Sequence, residues 1–146
     1  MQMMFNNRVK LDLRELLTEA AHFYADKLGI DKELQDKIEL EILVRKSSDR
    51  GACYTNCSPK RVPKFFTIEL NPDDDISILQ TLAHEMVHAR QFLRGQLDAE
   101  GSNGWVWKGR NAGGFEYENQ PWEKEAYRLE KTLFVKCFPF EMKFTN

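Results

Sequence analysis

The sequence predicts an α+β domain. Three observations carry that expectation. Apolar residues recur at the helical period near both ends of the chain and again in its middle. Two segments between them alternate apolar with polar residues, as half-buried strands do. The resulting order, α-β-β-α-β-(β)-α, is not the strict strand–helix alternation of a wholly parallel sheet. At 146 residues the chain suffices for one core and not for two, so residues 1–146 are read as a single domain.

The first helix is predicted over residues 11–28, where Leu13, Leu16, Leu17, Ala20, Phe23, Tyr24 and Leu28 keep near a helical period and Gly29 is a stop. Residues 38–44, IELEILV, alternate Ile38, Leu40, Ile42 and Val44 with more polar positions and predict a strand. Residues 47–63 are rich in Ser, Gly, Asn, Pro and basic groups and read as a loop. FFTIEL, residues 65–70, predicts a second strand closed by Asn71-Pro72. The acidic run Asp73, Asp74, Asp75 suits a helix N-terminus, so the central helix is expected from near Asp75 to near Gly95. Residues 104–117 predict a short strand, a Gly-containing turn and a returning strand. Pro121 opens the last helix, PWEKEAYRLEKTLFVK.

Composition narrows the function. The net charge of −2 gives no bulk basic character, so nucleic acid is not the favoured partner. No window approaches the roughly 18 apolar residues of a membrane helix, and no signal-like apolar run precedes the first charges. Three cysteines are an odd number for a disulfide framework, and with no such signal the protein is expected to be cytoplasmic.

The central helix contains His84-Glu85-Met86-Val87-His88, which holds two of the chain's three histidines. Four residues apart on a helix, His84 and His88 stand one turn apart on one face, close enough for both imidazoles to reach a single Zn²⁺. Glu85 lies beside them and is placed to act as general base toward a metal-activated water. For a chain of this length and composition a chance match is expected roughly 0.006 times.

A catalytic zinc site usually has three protein ligands. No histidine follows His88, and His22 in the first helix reads as a partly buried helix histidine, so the third ligand is sought among later carboxylates. At about 100° per residue, the apolar side of the last helix centres near 45° when Trp122 is set to zero. Glu123 then falls at about 100° and Glu130 at about 80°, within that side, while Glu125 falls at about 300°, among Lys124, Arg128 and Lys131. A carboxylate on an apolar face needs a partner or a cation. Glu123 is therefore the expected ligand and Glu125 the alternative, with Glu130 a candidate to orient a ligating histidine.

These residues resemble a known class. The H-E-x-x-H helix with a downstream Glu123-x-x-Ala126 is similar to the gluzincin zinc metallopeptidases. TIELNPDDDISILQTLAHEMVHA, with Gly51 before it and Trp105-Val-Trp107-Lys108 after it, resembles the SprT-like metallopeptidases over about residues 38–130. Those domains use a third histidine, which this chain lacks downstream. The resemblance implies a zincin-like single domain with a small mixed sheet, a zinc-binding active-site helix and a C-terminal helix carrying the third ligand. It implies zinc-dependent peptide-bond hydrolysis of a protein or peptide substrate, held by β-addition to an edge strand expected at 65–70. Two other functions stay open: a binding or regulatory module with structural zinc or none, and a SprT-like DNA-associated protease.

Tyr117 and Tyr127 are candidate donors to a developing oxyanion, Tyr117 lying close before the last helix. Trp105 and Trp107 alternate on a strand, so they share a face and cover the core or line the cleft. Cys53 and Cys57, with Cys137 and His22, would form a second zinc site only if the fold gathered them; free thiols are the simpler reading. Lys60, Arg61 and Lys64 read as a solvated basic loop.

Overall fold

The segment predicted to carry both histidines is a 19-residue helix, Asp75–Leu93, and the rest of the chain is arranged around it. In this computed structural model, which describes residues 1–55, 63–101 and 104–137, the elements run in a fixed order. They are β1 (Gln2–Phe5), α1 (Leu11–Lys27), α2 (Lys32–Gln35), β2 (Glu39–Val44), β3 (Gly51–Thr55), β4 (Phe65–Leu70), α3 (Asp75–Leu93), β5 (Leu97–Gly101), β6 (Gly104–Trp107), β7 (Arg110–Asn111) and α4 (Pro121–Cys137). A 3-10 turn at Tyr117–Asn119 leads into α4. The protein is a small mixed α/β domain with a mixed sheet and a C-terminal helix.

The ends of α3 follow local chemistry. The Asp74 carboxylate accepts from the Ser77 amide at 2.9 Å, satisfying one of the free N–H groups of the first turn. Gly95, at φ 66°, takes the left-handed conformation that lets the chain reverse after the last turn. Gly29 does the same after α1, at φ 76°.

The main sheet has the order β1-β2-β4-β3, with β1, β2 and β4 parallel and β3 antiparallel to β4. Leu40 and Ile42 on β2, with Phe66, Ile68 and Leu70 on β4, are buried on one face against the helices. Residues between them are half-buried or exposed, which is the alternation a one-sided sheet requires. Helix α3 packs against α1 and α4 and against β3, β4 and β5, and so forms the core's central element.

Two expectations are corrected. Strand β4, residues 65–70, is interior, flanked by β2 and β3, so it cannot be the edge that receives a peptide. The edges are β1 and β3; β3, which lines the cleft, lies within the segment read as a loop. Strand β3 shows no apolar alternation because its positions are half-buried or exposed. Its first residue is Gly51, where a side chain has no room: a Cβ would lie 2.6 Å from Thr81 Cγ2 and 3.0 Å from Glu85 Oε2. Strands β1 and β5 were also unforeseen; QMMF and LDAEG are short and lack alternation.

Strands β5, β6 and β7 form a second, antiparallel sheet. Lys108 and Gly109, both at positive φ, make the turn expected between β6 and β7. The Trp105 and Trp107 rings lie 5.5 and 6.0 Å from the ring of Trp122, so they share a face and pack onto α4.

Candidate metal centre

Helix α3 presents His84 and His88 one turn apart, and α4 brings Glu123 across from them. The Glu123 carboxylate lies 2.9 Å from His84 Nε2 through Oε1 and 3.1 Å from His88 Nε2 through Oε2. One ligand atom from each of the three residues lies within 4.8 Å of the others, and they form a group that could hold a metal ion. The alternative, Glu125, is elsewhere. It is half-buried and not on the wet side as expected, accepting from Gln91 Nε2 at 3.0 Å with Arg90 3.6 Å away.

The outer nitrogens of both rings are tied off. His84 Nδ1 lies 2.7 Å from Glu130 Oε1, and a carboxylate can only accept, so Nδ1 carries the proton. His88 Nδ1 lies 2.8 Å from Gln91 Oε1. Gln91 Nε2 already donates to Trp122 O and to Glu125, which makes the other amide atom the oxygen and His88 Nδ1 the donor. In the neutral rings each Nε2 therefore offers a lone pair toward Glu123, whose oxygens are also acceptors. Two acceptor–acceptor contacts in a buried place need positive charge between them. Protons on the rings or a bound cation would satisfy the arrangement, so the donor set fits a divalent ion.

The titration of these groups follows from the same geometry. Burial opposes a charged His84, but hydrogen bonds to Glu123 and Glu130 outweigh it and raise its pKa to about 9. His88 behaves alike: burial lowers its pKa, and the contact with Glu123 more than reverses this. Glu123 is driven the other way, to about 2, because the two imidazoles overcome its burial. Burial also opposes ionisation of Glu130, yet its bonds from His84, Arg50 and Gln80 hold it below the usual carboxylate range.

Glu85 differs from all of these. It is 4% exposed and makes no hydrogen bond among the described residues. Burial raises its pKa to about 7, with the nearby histidines pulling the other way. A carboxylate poised near neutrality in a cleft wall is suited to taking and returning a proton.

The cleft itself is about 560 Å³, lined on one side by residues 48–54 leading into and along β3 and on the other by α3, the Tyr117 turn and the start of α4. Tyr117 Oη donates to Glu123 Oε1 at 3.2 Å and lies 3.2 Å from Tyr127 Oη. Burial, then Tyr127, raises the Tyr117 pKa, so its phenol remains a donor. The Tyr127 ring packs edge-on against His84 at 4.6 Å.

Three supporting residues were not anticipated. Gln91 stands three residues after His88 and Gln80 four before His84, so helical spacing alone puts each on its histidine's face. Gln80 Nε2 donates to Glu130 Oε2 at 2.8 Å. Arg50 donates to Glu130 Oε1 at 3.0 Å across 80 residues of sequence, and no local pattern announces such a contact.

The proposed second zinc site is not assembled among the described residues. His22 Nδ1 bonds Thr18 O at 2.8 Å within its own helix, and Cys53 is a free thiol in the cleft wall. Burial, then Glu85, raises the Cys53 pKa well above the ordinary thiol value. Cys57, Lys60 and Arg61 lie outside the described residues, as does the side chain of Cys137. No helix among the described residues is long and apolar enough to cross a membrane. Comparison of the chain with protein-family models, curated proteins and solved structures finds no match.

Proposed function

We propose that the protein is a zinc metallopeptidase in which His84, His88 and Glu123 hold the metal and Glu85 is the general base. The observation that carries this reading is the pairing of two Nε2 lone pairs and a carboxylate with a buried, unpartnered Glu85 in one cleft. A bound Zn²⁺ would polarise the scissile carbonyl and make water acidic enough to be deprotonated near neutral pH. Glu85 takes a proton as the water oxygen adds to the carbonyl carbon. It returns that proton to the departing amine as the C–N bond breaks, so one amide and one water give one acid and one amine. Tyr117 and Tyr127 are phenolic donors at the cleft for charge developing on the carbonyl oxygen. Glu130 and Gln91 hold the two imidazoles in the tautomer that leaves Nε2 free.

The substrate on this reading is an extended peptide paired with β3, whose outer edge has no strand partner among the described residues and whose residues line the cleft. The resemblance of HEMVH and its flanks to gluzincin and SprT-like metallopeptidases supports the same activity. A location in the cytoplasm accords with it, and the net charge of −2 does not favour a DNA-associated role.

The test is zinc analysis of the purified protein followed by a peptide-library assay of wild type and Glu85→Gln. Zinc retained in both, with hydrolysis only in wild type, is expected. Stoichiometric zinc with no cleavage by wild type would instead favour a zinc-holding binding module.

A further inference from the structure

We infer that the end of the cleft beyond His88 is a specificity subsite that takes a bulky apolar side chain of the peptide. This rests on the peptidase reading and adds the substrate's chemical class. The cleft is chemically polarised along α3. On the His84 side its wall carries Arg50, bonded to Glu130, and the phenol of Tyr127. On the His88 side the wall changes character. Phe92 follows His88 by four residues, a rise of about 6 Å along the helix, on the same face. Leu97 follows at the start of β5, after the reversal at Gly95. Trp105 on β6 and Trp122, next in sequence to Glu123, complete this wall, their rings 5.5 Å apart.

Phe92, Leu97 and Trp122 are buried while Trp105 is only half-buried, so packed residues back the subsite and an indole borders it. The wall is continuous with the metal centre through His88 and through the Trp122–Glu123 peptide unit. A cleft of about 560 Å³ is larger than a scissile amide alone needs. A peptide lying along β3 turns alternate side chains toward the cleft floor. One side chain close to the scissile bond therefore meets this wall, and the chemistry there rewards removing apolar surface from water.

The experiment uses the zinc-loaded full chain and a peptide set that differs only at one position beside the cleaved bond. Peptides bearing Phe, Leu or Trp there should exceed Gly and Asp peptides in kcat/KM by roughly 10–100-fold. Trp105→Ala should reduce that ratio several-fold, and Trp105→Phe should keep most of it. If Trp105→Ala does not fold, the wild-type profile decides. Cleavage without an apolar preference would overturn the subsite and leave the peptidase reading standing. Preferential binding of the bulky peptides to Glu85→Gln, read by indole fluorescence, with no cleavage by wild type would overturn the peptidase reading and keep the subsite. Neither binding nor cleavage would overturn both.

Discussion

Glu130 Oε1 lies 2.7 Å from His84 Nδ1, at the ring nitrogen opposite the one that faces Glu123. The same oxygen accepts from Arg50 at 3.0 Å, and Gln80 occupies the second oxygen. Glu130 is 1% exposed, so its charge is tolerated only because these three donors surround it. Glu130→Gln should lower zinc affinity by about 10–100-fold, as loss of such a partner typically does. Competition against a fluorescent chelator checks this; unchanged affinity would mean that Glu130 is a structural carboxylate only.

The two N-terminal glutamates of α4, Glu123 in its first turn and Glu125 in its second, separate in the same assay. Glu123→Ala should abolish stoichiometric zinc binding. Glu125→Ala should leave zinc content unchanged, because its partners are Gln91 and Arg90. Equal zinc in both variants would remove Glu123 from the ligand set.

Gly51→Ala should cost about 1–3 kcal/mol, the usual penalty for forcing atoms into a packed site. The added Cβ meets Thr81 Cγ2 at 2.6 Å, so Thr81→Ser, which deletes that methyl while keeping the hydroxyl bonded to Ser77 O, should recover part of the loss. Urea denaturation of both variants and their combination checks the pair. Additive losses would show that β3 does not press on α3 at this point.

Glu85 gives a pH dependence in the metal-free protein. Its folded pKa is raised to about 7 from the ordinary 4.5 by burial. Between those values the folded state holds a proton that the unfolded chain has released, so stability falls as pH rises through the window and is level above it. Glu85→Gln removes this penalty. In chelator, the variant should exceed wild type by on the order of 3 kcal/mol near pH 8 and match it near pH 4. Identical curves at both would contradict a buried, ionisable Glu85.

The sequence was informative where one physical rule governs a position. Helical spacing brought His84 and His88 to one face and put Glu123 on the buried side of α4, and both assignments match the geometry. The acidic run Asp73, Asp74, Asp75 and Pro121 marked helix starts because unpaired N–H groups at a helix N-terminus make acceptors and proline favourable there, and Asp74 is the residue that caps α3. Phase alone misplaced Glu125: it assigned a solvent side without knowing that Gln91 of α3 would lie there. Strand β3 escaped notice because an edge strand over a cleft buries neither face fully and so carries no alternation. Arg50 escaped because its partner Glu130 is 80 residues away, a contact that only the assembled fold creates.

The central claim is that His84, His88 and Glu123 hold a zinc ion. Anomalous diffraction from crystals of the purified protein, collected on both sides of the zinc edge, tests it most directly. A single zinc peak bonded to His84 Nε2, His88 Nε2 and a Glu123 oxygen is predicted. A crystal with full-length density at these side chains and no zinc peak among them, or a peak held by other residues, would contradict it.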